Sequence, residues 1–503
     1  MQASNNNSSN INVSPSDDSS TSLVPKETTS HNNSIVSPRP LSELRTLIDA
    51  VDSALVRLLN DRSRLVIEVG QRKAADGTPV YAPHREQAVL AKVLAQNTGP
   101  LLNSTLESIY REIMSGSFAL ERPLRIGYLG PPGSFSHDAA VKQFGKSIMY
   151  ENLRTIEGVF EEVARGHVDY GLVPIENASI GSVPDTLDGI LAYCGRASLC
   201  AEVQLSVCQA LITCPGAIPR DITEIHSKPE ALGQCRKWLA TQYPNAALVP
   251  AASTSAAVEM VAKKYNQVGT EGTKHIAAIG SSLAASLFDL PVMFGDIQDV
   301  TPNITRFIIL CSSGTAAAVS APSGDDKTSI LFVCDDRPGA LVDVLDAFRR
   351  HSINLTHIDK RPCSSEHLTQ LVNASDKKKL VALSNNPNQH TITSILSPSA
   401  GSITPTATDT STNNNPNNTA LTGFVPRSPS PVQIPAMSVA PSLYVPAMLG
   451  GRGGLTTTFT YAFFIEAVGH ITQPELEAAL IEAAPLCLAL KVLGSYPRAR
   501  RVL

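Results

Sequence analysis

Arg62 and Lys73 are the first residues whose types and spacing point to chemistry. Leu44, Ile48, Val51, Leu55, Leu58, Leu65 and Val69 recur at helical spacing and mark one apolar face. Arg62 lies on that face, where a cation is costly unless it is paired. Lys73 follows eleven residues later. At about 100° per residue it returns to nearly the same face, about 16 Å further along the axis. Two long cationic side chains so placed can close on a small dianion. Arg45 points roughly 100° away and serves a different site, such as a partner's. Arg85 and Glu86 open a second helix, and a third carries Ile109, Ile113 and Ser117 on one face with Glu121 one turn on. The plain alternative is a helical bundle whose Arg and Lys side chains reach out to water.

A second candidate is LRIGYLGPPGSFSHDAA (124–140), which reads as strand, Gly-rich turn and helix. Its spacing is GxxGxxG rather than GxGxxG, and Pro131 and Pro132 remove amides that would cradle a pyrophosphate. The segment therefore reads as a small-anion site, with Ser134, Ser136 and free amides at a helix N-terminus. Further loops follow in VDYGLVPIENASIGSV (168–183), HSKPEALGQC (226–235), AASTSAA (251–257), AAIGSS (277–282) and IQDVTPNITRF (297–307). Taken singly, each is as well read as a helix cap or strand turn.

These residues need elements to hold them. The chain has 503 residues, which at about 100–200 per domain implies about three domains. Residues 1–38 form a polar tail in which eighteen residues are Ser or Asn, and little there can bury. Residues 39–122 read as helical, and 123–313 alternate strands with helices as α/β. Residues 326–503 read as one α+β unit in two halves. TSILFVCDDRPGALVDVLDAFRRHSINLTHIDKRP and TYAFFIEAVGHITQPELEAALIEAAPLCLALKVLGSYPRA together spell βαββαβ, the ferredoxin-like order. Between the halves, about residues 363–455 are rich in Ser, Thr, Asn and Pro and are expected to be a disordered insertion.

The net charge of −4 recruits neither nucleic acid nor an anionic membrane. No apolar run approaches the ~18 residues of a membrane span, and the N-terminus has no apolar signal region. The nine cysteines form no CxxC and have no His at zinc spacing. We read them as reduced thiols in a cytoplasmic protein and expect no metal and no cofactor.

The first region resembles the all-helical chorismate mutases over nearly all of 41–121. The resemblance rests on LSELRTLIDAVDSALVRLLNDRSRLVIEVGQRK, HREQAVL and IYREIMSGS. It implies that Arg45, Arg62, Arg85, Glu86 and Ser117 bind substrate, with Lys73 and Glu121 beside the breaking ether bond. It also implies an intertwined homodimer or higher homo-oligomer, with Arg45 crossing to the other protomer. Ala82 stands where a well-known member has Asp, and Glu121 where some members have Gln. A carboxylate there must be protonated to help the ether oxygen.

The second region resembles the prephenate dehydratases over nearly all of 124–312, with VPIEN and TRF the most specific pieces. That implies two α/β lobes of the type II periplasmic-binding-protein kind, with the site in the cleft. The matching positions are Glu176, Asn177, Ser227, Gln234, Thr305, Arg306 and Phe307. Thr305 would help the ring hydroxyl leave, and Arg306 would hold the side-chain carboxylate or order the cleft. The third region resembles the ACT domain. Its GALV sequence, Gly339, Ala340, Leu341 and Val342, matches the family's phenylalanine-binding loop, while DKRP (359–362) replaces the usual ESRP.

Together the three regions resemble the bifunctional chorismate mutase–prephenate dehydratases, which implies chorismate and prephenate as substrates and phenylalanine as effector. Two rivals remain open. One is arogenate dehydratase activity in the second region. The other is a non-catalytic small-molecule sensor on a binding-protein fold.

Overall fold

The computed structural model describes residues 39–313, 321–378, 380 and 460–499. The polar tail and most of the expected insertion lie outside the described residues. The chain divides into two units at Arg62–Ser63, within helix α1 (Leu41–Asp76). In the first unit Leu44, Ile48, Val51, Leu55 and Leu58 are all exposed, so the stripe read from the sequence faces solvent in the single chain.

The second unit opens with the rest of α1 and two further helices, α2 (Pro83–Ala95) and α3 (Asn103–Glu121). Pro83 suits the first turn of α2, where its missing N–H has no helical partner. Tyr81, before α2, is almost fully buried against the rings of Phe118, Phe144 and Tyr170. This cluster joins the helical region to the first α/β lobe.

The α/β region then runs β1 (Arg125–Leu129), α4 (Phe135–Phe144), β2 (Met149–Leu153), α5 (Ile156–Arg165), β3 (Tyr170–Asn177), β4 (Gly181–Ser182), α6 (Pro184–Ala192) and β5 (Ala197–Ser206). Next come β6 (Ala210–Thr213), β7 (Glu224–Ser227), α7 (Pro229–Gln234), α8 (Arg236–Gln242), β8 (Ala247–Pro250), α9 (Thr254–Thr273), β9 (Ile276–Gly280), α10 (Ser282–Leu287) and β10 (Val292–Phe294). β11 (Ile304–Ser312) closes the region. Local chemistry sets these boundaries. Ser134, Thr155, Ser253 and Ser281 each accept a first-turn amide at the start of a helix. Along α5, Ile156, Val159, Phe160 and Val163 are buried at helical spacing.

Two sheets result, as expected. The first has the order β2-β1-β3-β11-β5 with β4 on β3, and the second β10-β6-β9-β7-β8. The chain crosses between them twice, after β5 and after β10. The crossings are tied to each other: Val207 N donates to Asn303 O at 2.7 Å, and Ile297 N to Gln209 O at 3.0 Å.

The C-terminal region contains β12 (Asp326–Cys334), α11 (Ala340–Arg350), β13 (Leu355–Cys363), α12 (Ser365–Ala374), β14 (Thr460–Val468), α13 (Pro474–Ala483) and β15 (Cys487–Pro497). Its antiparallel sheet has the order β13-β14-β12-β15, which is the predicted βαββαβ arrangement apart from α12. One expectation is corrected here. The insertion was expected to begin at residue 363, yet α12 is a folded helix, and Leu371 and Leu380 are almost fully buried. Ser364 caps this helix and Ser375 donates to Leu490 O, so polar composition concealed a structured beginning.

This sheet packs directly on the first lobe. Leu331, Ala462, Leu493 and Tyr496 share one core with Val159, Leu199 and Ile308. A Cβ added at Gly494 would lie 1.8 Å from Leu199 O, so only glycine allows this approach.

Candidate active sites

In the helical region, Lys73 Nζ donates to Glu121 Oε2 at 2.8 Å and to Val80 O at 3.0 Å. Gly70 lets the two helices meet, because a Cβ there would sit 3.0 Å from Glu121 Cα. The pair lines a cavity of about 570 Å³ with Arg122, Asp169 and Tyr170. Ser117, one turn before Glu121, is buried and donates to Ile113 O at 2.7 Å. Glu86 is placed elsewhere. It is buried against the Arg111 guanidinium of α3 and lines a separate cavity of about 320 Å³ with Tyr81, Gln143 and Gln204. A buried carboxylate needs a cation, and Arg111 supplies it. Arg111 stood in the quoted IYREIMSGS motif without being singled out. Arg85 on α2 is exposed. In the first unit Arg45 is exposed and Arg62 half-buried.

In the α/β region, strand pairing assembles two motifs. β3 ends in Glu176 and Asn177, and antiparallel β11 places Arg306 and Thr305 opposite them. Asn177 Nδ2 donates to Thr305 Oγ1 at 2.8 Å and to Asn303 Oδ1 at 3.0 Å. The amide orientation is fixed at its other end, where Asn177 Oδ1 accepts from Ser179 N at 2.9 Å and Ile180 N at 3.2 Å. Thr305 Oγ1 is thus an acceptor toward Asn177, which leaves its own proton to be donated elsewhere. Asn303, in the quoted VTPNITRF segment, is a site residue that motif matching passed over.

The other matched positions separate. Arg306 is buried and surrounded by protein carboxylates. Its Nε and Nη2 meet Glu176 Oε2 at 3.2 and 3.0 Å, and Nη1 meets Glu466 Oε1 at 2.6 Å. Through these bonds it orders the strand ends. Phe307 follows a β-bulge and lies in the core of the first lobe. Ser227 is buried and donates to Ile279 O at 2.7 Å, which holds β7 on its sheet. Gln234 Oε1 accepts from Gln209 Nε2 at 3.0 Å, tying α7 to the crossing segment.

The Gly-rich turn is largely satisfied internally. Gly133 N donates to His137 Nδ1 at 3.1 Å, Ser134 N to Pro131 O and His137 N to Ser134 Oγ. The expectation of free amides therefore fails for these three, since the turn folds back on its own helix. Gly133 has φ +81°, and a Cβ there would meet Ala284 and Ser255 of the second lobe at 2.9 Å. Burial lowers the His137 imidazole below its ordinary value, which suits its acceptor role at Nδ1.

In the C-terminal region Gly339 has φ +83° and begins α11. Ala340 is buried, Leu341 packs on the region's own core, and Val342 is exposed. The DKRP segment docks on the first lobe: Arg361 pairs with Asp188 at 2.6 Å, and Asp359 accepts from Ser182. No metal-binding cluster occurs among the described residues.

Known proteins place these motifs in context. A family model for prephenate dehydratase matches residues 126–315, and one for chorismate mutase type II matches residues 44–122. The bifunctional chorismate mutase/prephenate dehydratase of Stutzerimonas stutzeri is 38% identical over 330 residues, covering 65% of this chain and 86% of the relative. The chain belongs to the bifunctional chorismate mutase/prephenate dehydratase family. In fold it is similar to the prephenate dehydratase of Arthrobacter aurescens solved in complex with L-Phe. That likeness has a TM-score of 0.50 at 24% identity and covers 75% of this chain and 90% of that one. A quorum-quenching acylase gives the same TM-score of 0.50 at 21% identity, covering 75% of this chain and 98% of its own. The fold therefore hosts more than one activity, and sequence and site geometry decide the assignment. In this chain, VPIEN and TRF are the two facing strand ends just described.

Proposed function

We infer that the chain converts chorismate into prephenate in its helical region, and prephenate into phenylpyruvate, carbon dioxide and water in its α/β region. It thereby serves phenylalanine biosynthesis in the cytoplasm. The first step is an isomerisation that needs the reactive conformer and stabilised negative charge on the breaking ether oxygen. The Lys73 ammonium stabilises that charge, and Arg45, Arg62 and Arg85 hold the carboxylates. The exposed apolar row on α1 supports a homodimer in which a second copy covers it and contributes to the site.

In the second step the ring carboxylate leaves as carbon dioxide. Its bonding pair enters the ring, and the ring hydroxyl departs after gaining a proton. The observation that carries this reading is the Asn177–Thr305 hydrogen bond. It turns the Thr305 proton away from Asn177 and toward a leaving hydroxyl. Feeding chorismate to the purified chain should yield phenylpyruvate, and Thr305→Ala should stop at prephenate. Comparing turnover of prephenate and arogenate decides which second substrate is preferred.

The βαββαβ region acts as an ACT regulatory domain. The left-handed Gly339 at the start of α11 supports the GALV loop as the phenylalanine site, completed by a second copy. Phenylalanine titration of the dehydratase rate, beside Gly339→Val, tests this. A wild-type rate that ignores millimolar effector overturns it.

A further inference from the structure

A buried group of charges joins the C-terminal sheet to the strand that carries Thr305. Arg306 Nη1 lies 2.6 Å from Glu466 Oε1 and 3.3 Å from Glu202 Oε2. Lys327 Nζ lies 3.2 Å from Glu202 Oε2 and 3.3 Å from Glu466 Oε2. Arg306, Glu202, Lys327 and Glu466 are all at least nine-tenths buried. Glu202 belongs to β5 of the first lobe, whereas Lys327 and Glu466 belong to β12 and β14 of the C-terminal sheet. The same arginine reaches outward to Glu176, the neighbour of Asn177.

Stability alone is a poor reason for such a group. Each buried ion forfeits several kcal/mol of hydration, and an apolar seam of the same volume often does as well. Four buried charges do impose a unique geometry. Arg306 is clamped from behind by Glu466 and Glu202 and in front holds Glu176. The Arg306–Glu176 pair lies directly beside the Thr305–Asn177 pair on the same two strands. Clamping the first pair therefore fixes the register and approach of the second.

We propose that Glu466 and Lys327 of the C-terminal sheet are positioning residues for the dehydratase reaction, acting through Arg306 and Glu176 on Thr305 and Asn177. This rests on the reading of Thr305 and Asn177 as the reacting site. The C-terminal region then completes the dehydratase site as well as regulating it. Burial by itself pushes the Glu466 carboxyl up, but Arg306 and Lys327 bring it below its ordinary value, so it stands as a charged anchor.

The test uses the full chain with prephenate as substrate and chorismate turnover as the control for folding. Glu466→Gln and Lys327→Met should each lower dehydratase kcat by about a hundredfold, the cost of a misplacement of about 1 Å at the reacting groups. KM should stay within about threefold and the mutase rate should be unchanged. Glu466→Gln combined with Thr305→Ser should cost less than the product of the two separate losses, because both act on one group. Three results overturn the inference: kcat kept in both variants, a loss that appears only in KM, or mutase and dehydratase falling together in both. A dehydratase rate unchanged in Thr305→Ala would instead remove the site reading itself, whatever the Glu466 variant does.

Discussion

Asn177 and Thr305 meet across two antiparallel strands, with the Asn177 amide nitrogen 2.8 Å from Thr305 Oγ1. The bond makes Thr305 Oγ1 an acceptor toward Asn177 and leaves the threonine proton for another acceptor. Thr305→Ala should lower phenylpyruvate formation by about 10²- to 10⁴-fold, the usual range for a positioned proton donor. Chorismate consumption should survive. Equal loss of both activities would contradict separate sites.

Lys73 lines the cavity beside α1 and α3 together with Arg122. Lys73→Met should lower chorismate turnover by about 10²- to 10³-fold, as for loss of one preorganised donor to a developing oxyanion. Arg62→Ala should act in the same direction. Prephenate turnover measured on the same samples should not change.

Glu121 engages the Lys73 ammonium at 2.8 Å, so a substrate oxygen must compete with a carboxylate for it. Glu121→Gln should raise chorismate turnover near neutral pH by about tenfold, the effect of weakening one charge-assisted hydrogen bond. A slower variant would show that the carboxylate has a direct part in the reaction.

Glu466 has a carboxyl held below its ordinary value by Arg306 and Lys327, against the opposing effect of burial. A carboxyl depressed in the folded state contributes stability that is full above its unfolded value and lost as pH falls through its folded value. Acid should therefore destabilise the wild type through and below the ordinary carboxylate range. Glu466→Gln should flatten that part of the urea midpoint-against-pH curve. It should also lower stability near neutral pH, because Arg306 and Lys327 lose the carboxylate they share and keep only Glu202 and Glu176.

Gly494 faces Leu199 O so closely that a methyl group cannot fit without moving backbone. Gly494→Ala should cost about 1–3 kcal/mol by overpacking. It should also lower the dehydratase rate without altering any charge, since it pushes β15 away from β5. Thermal denaturation and prephenate turnover measure the two effects.

Much of this architecture was legible in the chain. Helical periodicity marked α1, Ser134 stood at a legible helix start in the α/β region, and βαββαβ emerged from two separated halves. VPIEN and TRF were recognisable as pieces. The beginning of the supposed insertion was passed over: α12 carries Leu368, Leu371 and Val372 at helical spacing, but the run is short and the Ser-, Asn- and Lys-rich residues around it dominate the composition. A linker replacement starting at residue 366 would remove the buried Leu371. The Glu86–Arg111 pair was hidden because each residue alone reads as a surface charge.

The sequence by itself determined the three regions, their order and the residue types that the two reactions require, because periodicity, caps and motifs are local properties of the chain. Only the tertiary structure decided which charge meets which. Arg306 lies 160 positions from Glu466 and 130 from Glu176, yet binds both. Phe307, its neighbour, turns into the core across a β-bulge. Pairing over such separations depends on sheet register and on desolvation at the seam between the first lobe and the C-terminal sheet, and no local pattern encodes either.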